Sequence, residues 1–248
     1  MGLADLALTA FAALVIGALI GAIGIGGVLL TPWLTHVIGL PVRDAIVISS
    51  FAFIGTGVAA LLISMRSLRG APAVNWPLIV ATAPGALLGA WALAMIPGQL
   101  ALVLLAALTI AVGTKALTGR SAGGPDRSDP ASVPGIPTGG LTGFASALTG
   151  TGGPMVLVPI MVWQGAPMRH AILLGQAVQL PIALTATAGN LYLGGVDVAA
   201  GAAIGLMLVP GAFVGHRLAA SLPLGALTRL VGVTLIAAGV SFAFKAAT

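Results

Sequence analysis

The chain has no cysteine and no glutamate, a single tyrosine, and charged residues at only 6% of its 248 positions. Each scarcity removes a class of function. Without cysteine there is no disulfide, no thiolate metal site and no thiol relay for a substrate. A soluble domain carries about 25% charged residues to keep its surface wet, so this surface faces something other than water. The histidines, His36, His170 and His216, are scattered. No G-x-x-x-x-G-K-[ST], H-E-x-x-H or G-x-S-x-G is present, and no strand precedes the glycine-rich stretches to make a dinucleotide site. An ATP-driven pump and a membrane hydrolase are thereby excluded. No catalytic residue, metal ligand or cofactor is expected.

Apolar residues are abundant, at 58%. They gather in runs at Leu6–Ile23, Ala45–Met65, Trp76–Ile96, Leu100–Leu117, Ala171–Leu193 and Val198–His216, each about long enough to cross a hydrocarbon core. Only helices and closed barrels satisfy their backbone in lipid. The runs lack the two-residue alternation of barrel strands, so the expected fold is an all-α, polytopic membrane protein. The net charge of +5 is no nucleic-acid footprint, because the basic residues sit between apolar runs. There they set orientation and meet anionic headgroups of the bilayer. Residues 1–23 have the apolar, small-residue character of a signal peptide. No Lys or Arg precedes them, and their end has a counterpart in mid-chain, so we read them as mature structure.

That counterpart belongs to a duplication. At a fixed offset of 126, Gly17, Gly24, Gly26 and Gly27 fall on Gly143, Gly150, Gly152 and Gly153. Gly39, Pro41, Arg43 and Ala45 fall on Gly165, Pro167, Arg169 and Ala171, and Pro84, Gly85, Gly89 and Pro97 on Pro210, Gly211, Gly215 and Pro223. Residues 1–118 form the first repeat, with a broken segment at 6–38 and helices at 44–65, 75–96 and 98–118. Residues 138–248 form the second, with a broken segment at 138–164 and helices at 171–193, 198–217 and 224–245. The stretch 119–137, rich in Gly, Ser, Pro and charge, is the linker. Arg66 and Arg69, the linker's Arg120 and Arg127, and Arg217 and Arg229 near Pro223 mark cytoplasmic loops by the positive-inside rule. Equivalent loops then lie on opposite sides, which predicts inverted repeats whose broken segments enter and return as hairpins. The alternative is parallel repeats of four crossings each.

The broken segments carry the candidate site. Gly24, Gly26 and Gly27, with Gly150, Gly152 and Gly153, interrupt their helices at matching positions. Three glycines in four residues cost a helix about 1 kcal/mol each, and irregular backbone at membrane depth survives only where protein or a watery cavity covers it. Two unwound tips meeting at mid-membrane would offer N–H groups and positive helix ends to an anion. The plain alternative is close helix packing, which is our reading of Gly17/Gly21, Gly85/Gly89 and Gly211/Gly215. Ser49, Ser50, Gln176 and Gln179 would complete the substrate shell with uncharged donors, or else hydrogen-bond between helices. Arg43 and Arg169 open helices beside the broken segments, either to attract anions at a pathway mouth or to anchor at headgroups. Asp44 and its counterpart His170 are the candidates for proton coupling, although Asp44 beside Arg43 also fits a local ion pair.

With G-x-G-G, a following Pro and a Pro-x-Arg-x-Ala helix start in each half, the chain resembles the TauE/SafE (TSUP) family. Gly24, Gly26, Gly27, Pro32 and Ala45 carry the resemblance in one half, and Gly150, Gly152, Gly153, Pro159 and Ala171 in the other. The resemblance implies transport of sulfite, of sulfonates such as sulfoacetate, or in some branches of thiosulfate. It also implies a bacterial inner membrane and, for many members, export. Lack of cysteine sets this chain apart from the Cys-dependent thiosulfate uptake branch. The expected function is therefore secondary export of a small sulfur-containing anion by alternating access. A proton or sodium is the candidate coupling ion, and a homodimer the candidate assembly. The competing readings are an uncoupled anion channel and a transporter of a non-sulfur organic anion.

Overall fold

In lipid a helix satisfies its own backbone, and the apolar runs coil accordingly. The computed structural model describes residues 3–68, 75–118, 133–195 and 197–247. Among them are ten α-helices, one 3₁₀ turn and no strand, the all-α fold that composition predicts. The helices are α1 (Leu3–Ile23), α2 (Leu30–His36), α3 (Val42–Leu68), α4 (Trp76–Met95) and α5 (Gly98–Thr118), then α6 (Gly135–Thr149), α7 (Pro154–Trp163), α8 (Met168–Tyr192), α9 (Val198–Ser221) and α10 (Leu224–Ala247). The 3₁₀ turn, Gly26–Leu29, lies between α1 and α2. Stretches in α3, α4, α8 and α9 are long and apolar enough to cross a membrane.

Local chemistry sets the ends. Asn75 caps α4, its Oδ1 accepting from the Leu78 N–H at 3.1 Å, while its Nδ2 donates to the Val133 carbonyl at 3.0 Å. Asp197 caps α9 by accepting from the Ala200 N–H. Helix α6 starts at Gly135, inside the stretch read as linker. Pro137 does not prevent this, because a first-turn proline lacks only an N–H that would be unbonded anyway. Residues 119–132, with Arg120 and Arg127, and residues 69–74, with Arg69, lie outside the described residues.

Large apolar side chains face outward as well as inward, and polar ones are buried among the helices. Leu206, Ile136, Phe11 and Val80 are about two-thirds exposed or more, whereas Thr31, Ser49, Thr82 and Thr142 are fully buried. Trp76 and Trp91 near the two ends of α4, and Tyr192 at the end of α8, are exposed, as aromatic belts at membrane interfaces are.

Helix packing links the halves crosswise. Glycines of α1 lie against α9, and those of α6 against α4. A Cβ on Gly17 would strike the Leu208 carbonyl, and one on Gly143 the Thr82 carbonyl; Gly211 faces Leu14 and Gly85 faces Gly140; Gly215 faces Ala18 and Gly89 faces Phe144. Each contact is its partner's image under the offset of 126. Such approach of backbone to backbone, possible only without side chains, is the small-residue packing of membrane helices.

The same contacts give directions. Partner numbers rise together along α4 and α6, along α1 and α9, and along α3 and α9 (Phe51 with Gly201, Ala52 with Gly205, Gly55 with Val209), so these pairs are parallel. Along α5 and α10 they move oppositely, with Gly113 on Gly232 and Ile236, Gly239 on Ile110, and Gln99 Nε2 donating to the Ala246 carbonyl at 3.0 Å.

Candidate functional site

Both broken segments turn on glycine. Helix α1 ends at Ile23, and Gly24 follows in the left-handed region at φ +77°, its N–H donating to the Ile20 carbonyl at 2.8 Å. The chain then folds back along α1, so that a Cβ on Gly26 would lie 2.6 Å from the Ile16 carbonyl oxygen. Helix α6 ends the same way, at Gly150 with φ +63°. Beyond this the halves differ. Gly152 and Gly153 are left-handed, at φ +83° and +104°, and α7 starts with Pro154. Gly26 and Gly27 instead open the 3₁₀ turn, so the first tip is coiled where an unwound one was expected.

The tips meet. A Cβ on Gly27 would lie 3.1 Å from the Thr151 carbonyl oxygen, and one on Gly24 would lie 2.8 Å from the Pro154 ring. Phe53, 1% exposed, stands between them, 2.8 Å from the Gly27 and 3.1 Å from the Gly152 Cβ positions. All six tip glycines are buried. The N–H groups of Gly26, Gly27, Gly152 and Gly153 donate none of the backbone hydrogen bonds found among the described residues. Buried amide groups of this kind require acceptors.

The candidate side chains divide by what they hold. Ser49, Ser50, Gln176 and Gln179 are all buried. The Ser50 hydroxyl donates to the Ile46 carbonyl of its own helix at 2.9 Å, and Ser49 lies 3.5 Å from the Thr31 hydroxyl. Gln176 Nε2 donates to the Gly21 carbonyl at 3.1 Å and to the Ile20 carbonyl at 3.4 Å, so its amide group closes the end of α1. Gln179 Nε2 donates to the Thr56 hydroxyl at 2.7 Å, leaving a buried Oε1 without a partner. Arg43 and Asp44 stand exposed at the start of α3, and no ion pair joins them. His170 is buried near the start of α8 with its Nε2 unpartnered. Arg169 opens the same helix, and its side chain lies outside the described residues. No group of metal-ligating side chains occurs among the described residues.

The sequence profile of the family described as sulfite exporter TauE/SafE matches residues 8–242. The chain belongs to the TauE/SafE family. That makes it a member of a transporter family rather than an enzyme family, and its general activity that of a sulfite or anion exporter in the membrane. Comparison with curated proteins and with solved structures found no match. Motif reading passed over Phe53 and Thr56. The offset of 126, which places Phe53 on Gln179, is the signal that could have found it.

Proposed function

We propose that this protein is a secondary transporter that exports small sulfur-containing anions, such as sulfite or short sulfonates, across the bacterial inner membrane by alternating access. One observation carries the reading: two glycine tips, one from each half, meet in the buried centre, and four of their amide N–H groups donate no backbone hydrogen bond among the described residues. An oxyanion supplies the missing acceptors, and the helix N-terminus at α7 adds a favourable dipole. Gln179, whose Cα lies 3.9 Å from the Gly153 Cβ position, borders the site and bonds to Thr56. Gln176 holds its frame.

The helix directions support inverted repeats with hairpin tips. Helices α4, α6 and α8 start at one face of the bundle, whereas α1, α3 and α9 start at the other. Each broken segment then enters and leaves by its own face. Among the described residues, Arg66, Lys115, Arg169, Arg217 and Arg229 occupy helix ends at the face where α4 starts, and Arg43 and Lys245 occupy the opposite ends. The positive-inside rule makes the arginine-rich face cytoplasmic. His170, buried beside that face, is our candidate for proton coupling.

The test is efflux of labelled sulfite and sulfoacetate from proteoliposomes under imposed proton or sodium gradients, beside a thermal-shift screen with sulfite, sulfoacetate, taurine, thiosulfate and sulfate. Uphill movement driven by a gradient is expected. Strictly downhill flux would make the protein a channel, and stabilisation by none of the five anions would sink the sulfur-anion reading.

A further inference from the structure

The scaffold is symmetric, but its polar lining is not. Of the eight buried side-chain atoms without a hydrogen-bond partner among the described residues, all but Trp33 Nε1 belong to the second half. On α6, Thr138, Thr142, Ser146 and Thr149 are buried at spacings of four, four and three, which puts them on one face. The hydroxyls of Thr142 and Ser146 have no partner. The equivalent residues of α1 are Ala12, Ile16, Ile20 and Ile23, equally buried. On α8, Gln179, Thr187 and Asn190 share another face, each with an unpartnered atom, where α3 has Phe53, Leu61 and Ser64.

Because aliphatic side chains fill the α1 positions within the same crosswise contacts, the fold does not need hydroxyls at these places. Nor do the hydroxyls of Thr142 and Ser146 tie helices together, since they have no partner among the described residues. A buried polar atom left dry costs about 1–3 kcal/mol, and such atoms in native proteins are normally met by ordered water. The lengths also fit. From Thr138 to Thr149, and from Gln179 to Asn190, each stripe rises roughly 16 Å. Together they approach the ~30 Å of a hydrocarbon core, and they join where the tips meet.

We propose that the second half alone carries a hydrated seam along which the permeant anion moves. One arm runs along α6 from the face where α4 starts to the tips. The other runs along α8 from the tips to the opposite face. Away from the tips, the first half is the dry wall against which the seam works. This rests on the transport reading for what moves, but the seam itself is testable without knowing the substrate.

The natural absence of cysteine permits a direct experiment. Single cysteines are placed by Thr142→Cys, Ser146→Cys, Thr187→Cys and Asn190→Cys, with Ile16→Cys, Ile20→Cys and Leu61→Cys as their counterparts. Full-length protein in membrane vesicles of either sidedness is treated with an impermeant methanethiosulfonate that carries a sulfonate. Since thiol reaction requires access, the second-half cysteines should react roughly tenfold faster or more than their counterparts. The α6 pair should favour reagent from the face where α4 starts, and the α8 pair the other. Equal rates in both halves, or silence in the folded protein with full reaction after denaturation, would overturn the seam. As a second measurement, Thr142→Val and Ser146→Ala should keep the thermal midpoint yet slow transport. Unchanged transport in both would also overturn it. Normal labelling with no sulfur anion transported would leave the seam standing and remove the substrate assignment instead.

Discussion

Gln176 and Gln179 lie three residues apart on one buried face of α8, yet they should fail in opposite ways. Replacing Gln176 with Leu removes the only donor to the Gly21 carbonyl among the described residues; the Ile20 carbonyl keeps the Gly24 N–H at 2.8 Å. One buried acceptor is thus orphaned, at a cost of about 1–3 kcal/mol. For a chain of this size each kcal/mol lowers the midpoint by roughly 2–4 °C, so Gln176→Leu should melt about 2–12 °C lower. Its substrate KM should change little, because the lost contact belongs to α1. Gln179→Leu gives up the 2.7 Å bond to Thr56, worth about 1 kcal/mol, but also removes a buried oxygen that had no partner. These terms offset, so stability should hold to within about 1 kcal/mol while transport falls tenfold or more, as the loss of about 1.4 kcal/mol of anion binding requires. The assay pairs thermal unfolding in detergent with initial rates of sulfite efflux. If Gln176→Leu melts normally and raises KM, or Gln179→Leu transports normally, our division between frame and site is mistaken.

Other outcomes follow from the contacts. Gly143→Ala would drive a Cβ into the Thr82 carbonyl and should abolish folded protein, whereas Gly140→Ala meets nothing within 4 Å and should gain about 0.5–1 kcal/mol from helix propensity. Size-exclusion profiles and melting curves of the two compare them directly. Gly152→Ala forces a side chain into φ +83°, with its Cβ 3.1 Å from the Phe53 ring. It should cost about 1–2 kcal/mol and stop transport; active Gly152→Ala protein would exclude the tip from the site. Asn75→Ala removes both the α4 cap and the link to Val133, and should lower stability by about 1–2 kcal/mol with transport intact in the protein that remains folded.

What could be read in advance follows the range of each interaction. Glycine at a helix crossing is demanded by geometry, so Gly17, Gly85, Gly143 and Gly211 stand out as matched pairs, and the apolar runs declare their helices by length. The role of Gln176 was hidden, because its carbonyl partners lie 155 and 156 residues away and nothing local distinguishes a capping amide from one facing a ligand. Likewise Gly26 and Gly152 are the same residue at the same place in the duplication, yet one is packed against α1 and coils while the other lies against Phe53 and stays left-handed. Tertiary neighbours, not glycine content, decide which tip unwinds.

The crosswise pairing also governs the order of assembly. Gly17 must wait for Leu208, roughly 190 residues later in synthesis, a delay of about 10–40 s at ordinary ribosome speed. During that interval the grooved side of α1 has no mate, and whatever shelters nascent segments at the insertion machinery must cover it. A mutation that leaves the finished molecule untouched but slows elongation before α9 would lower the yield of mature transporter.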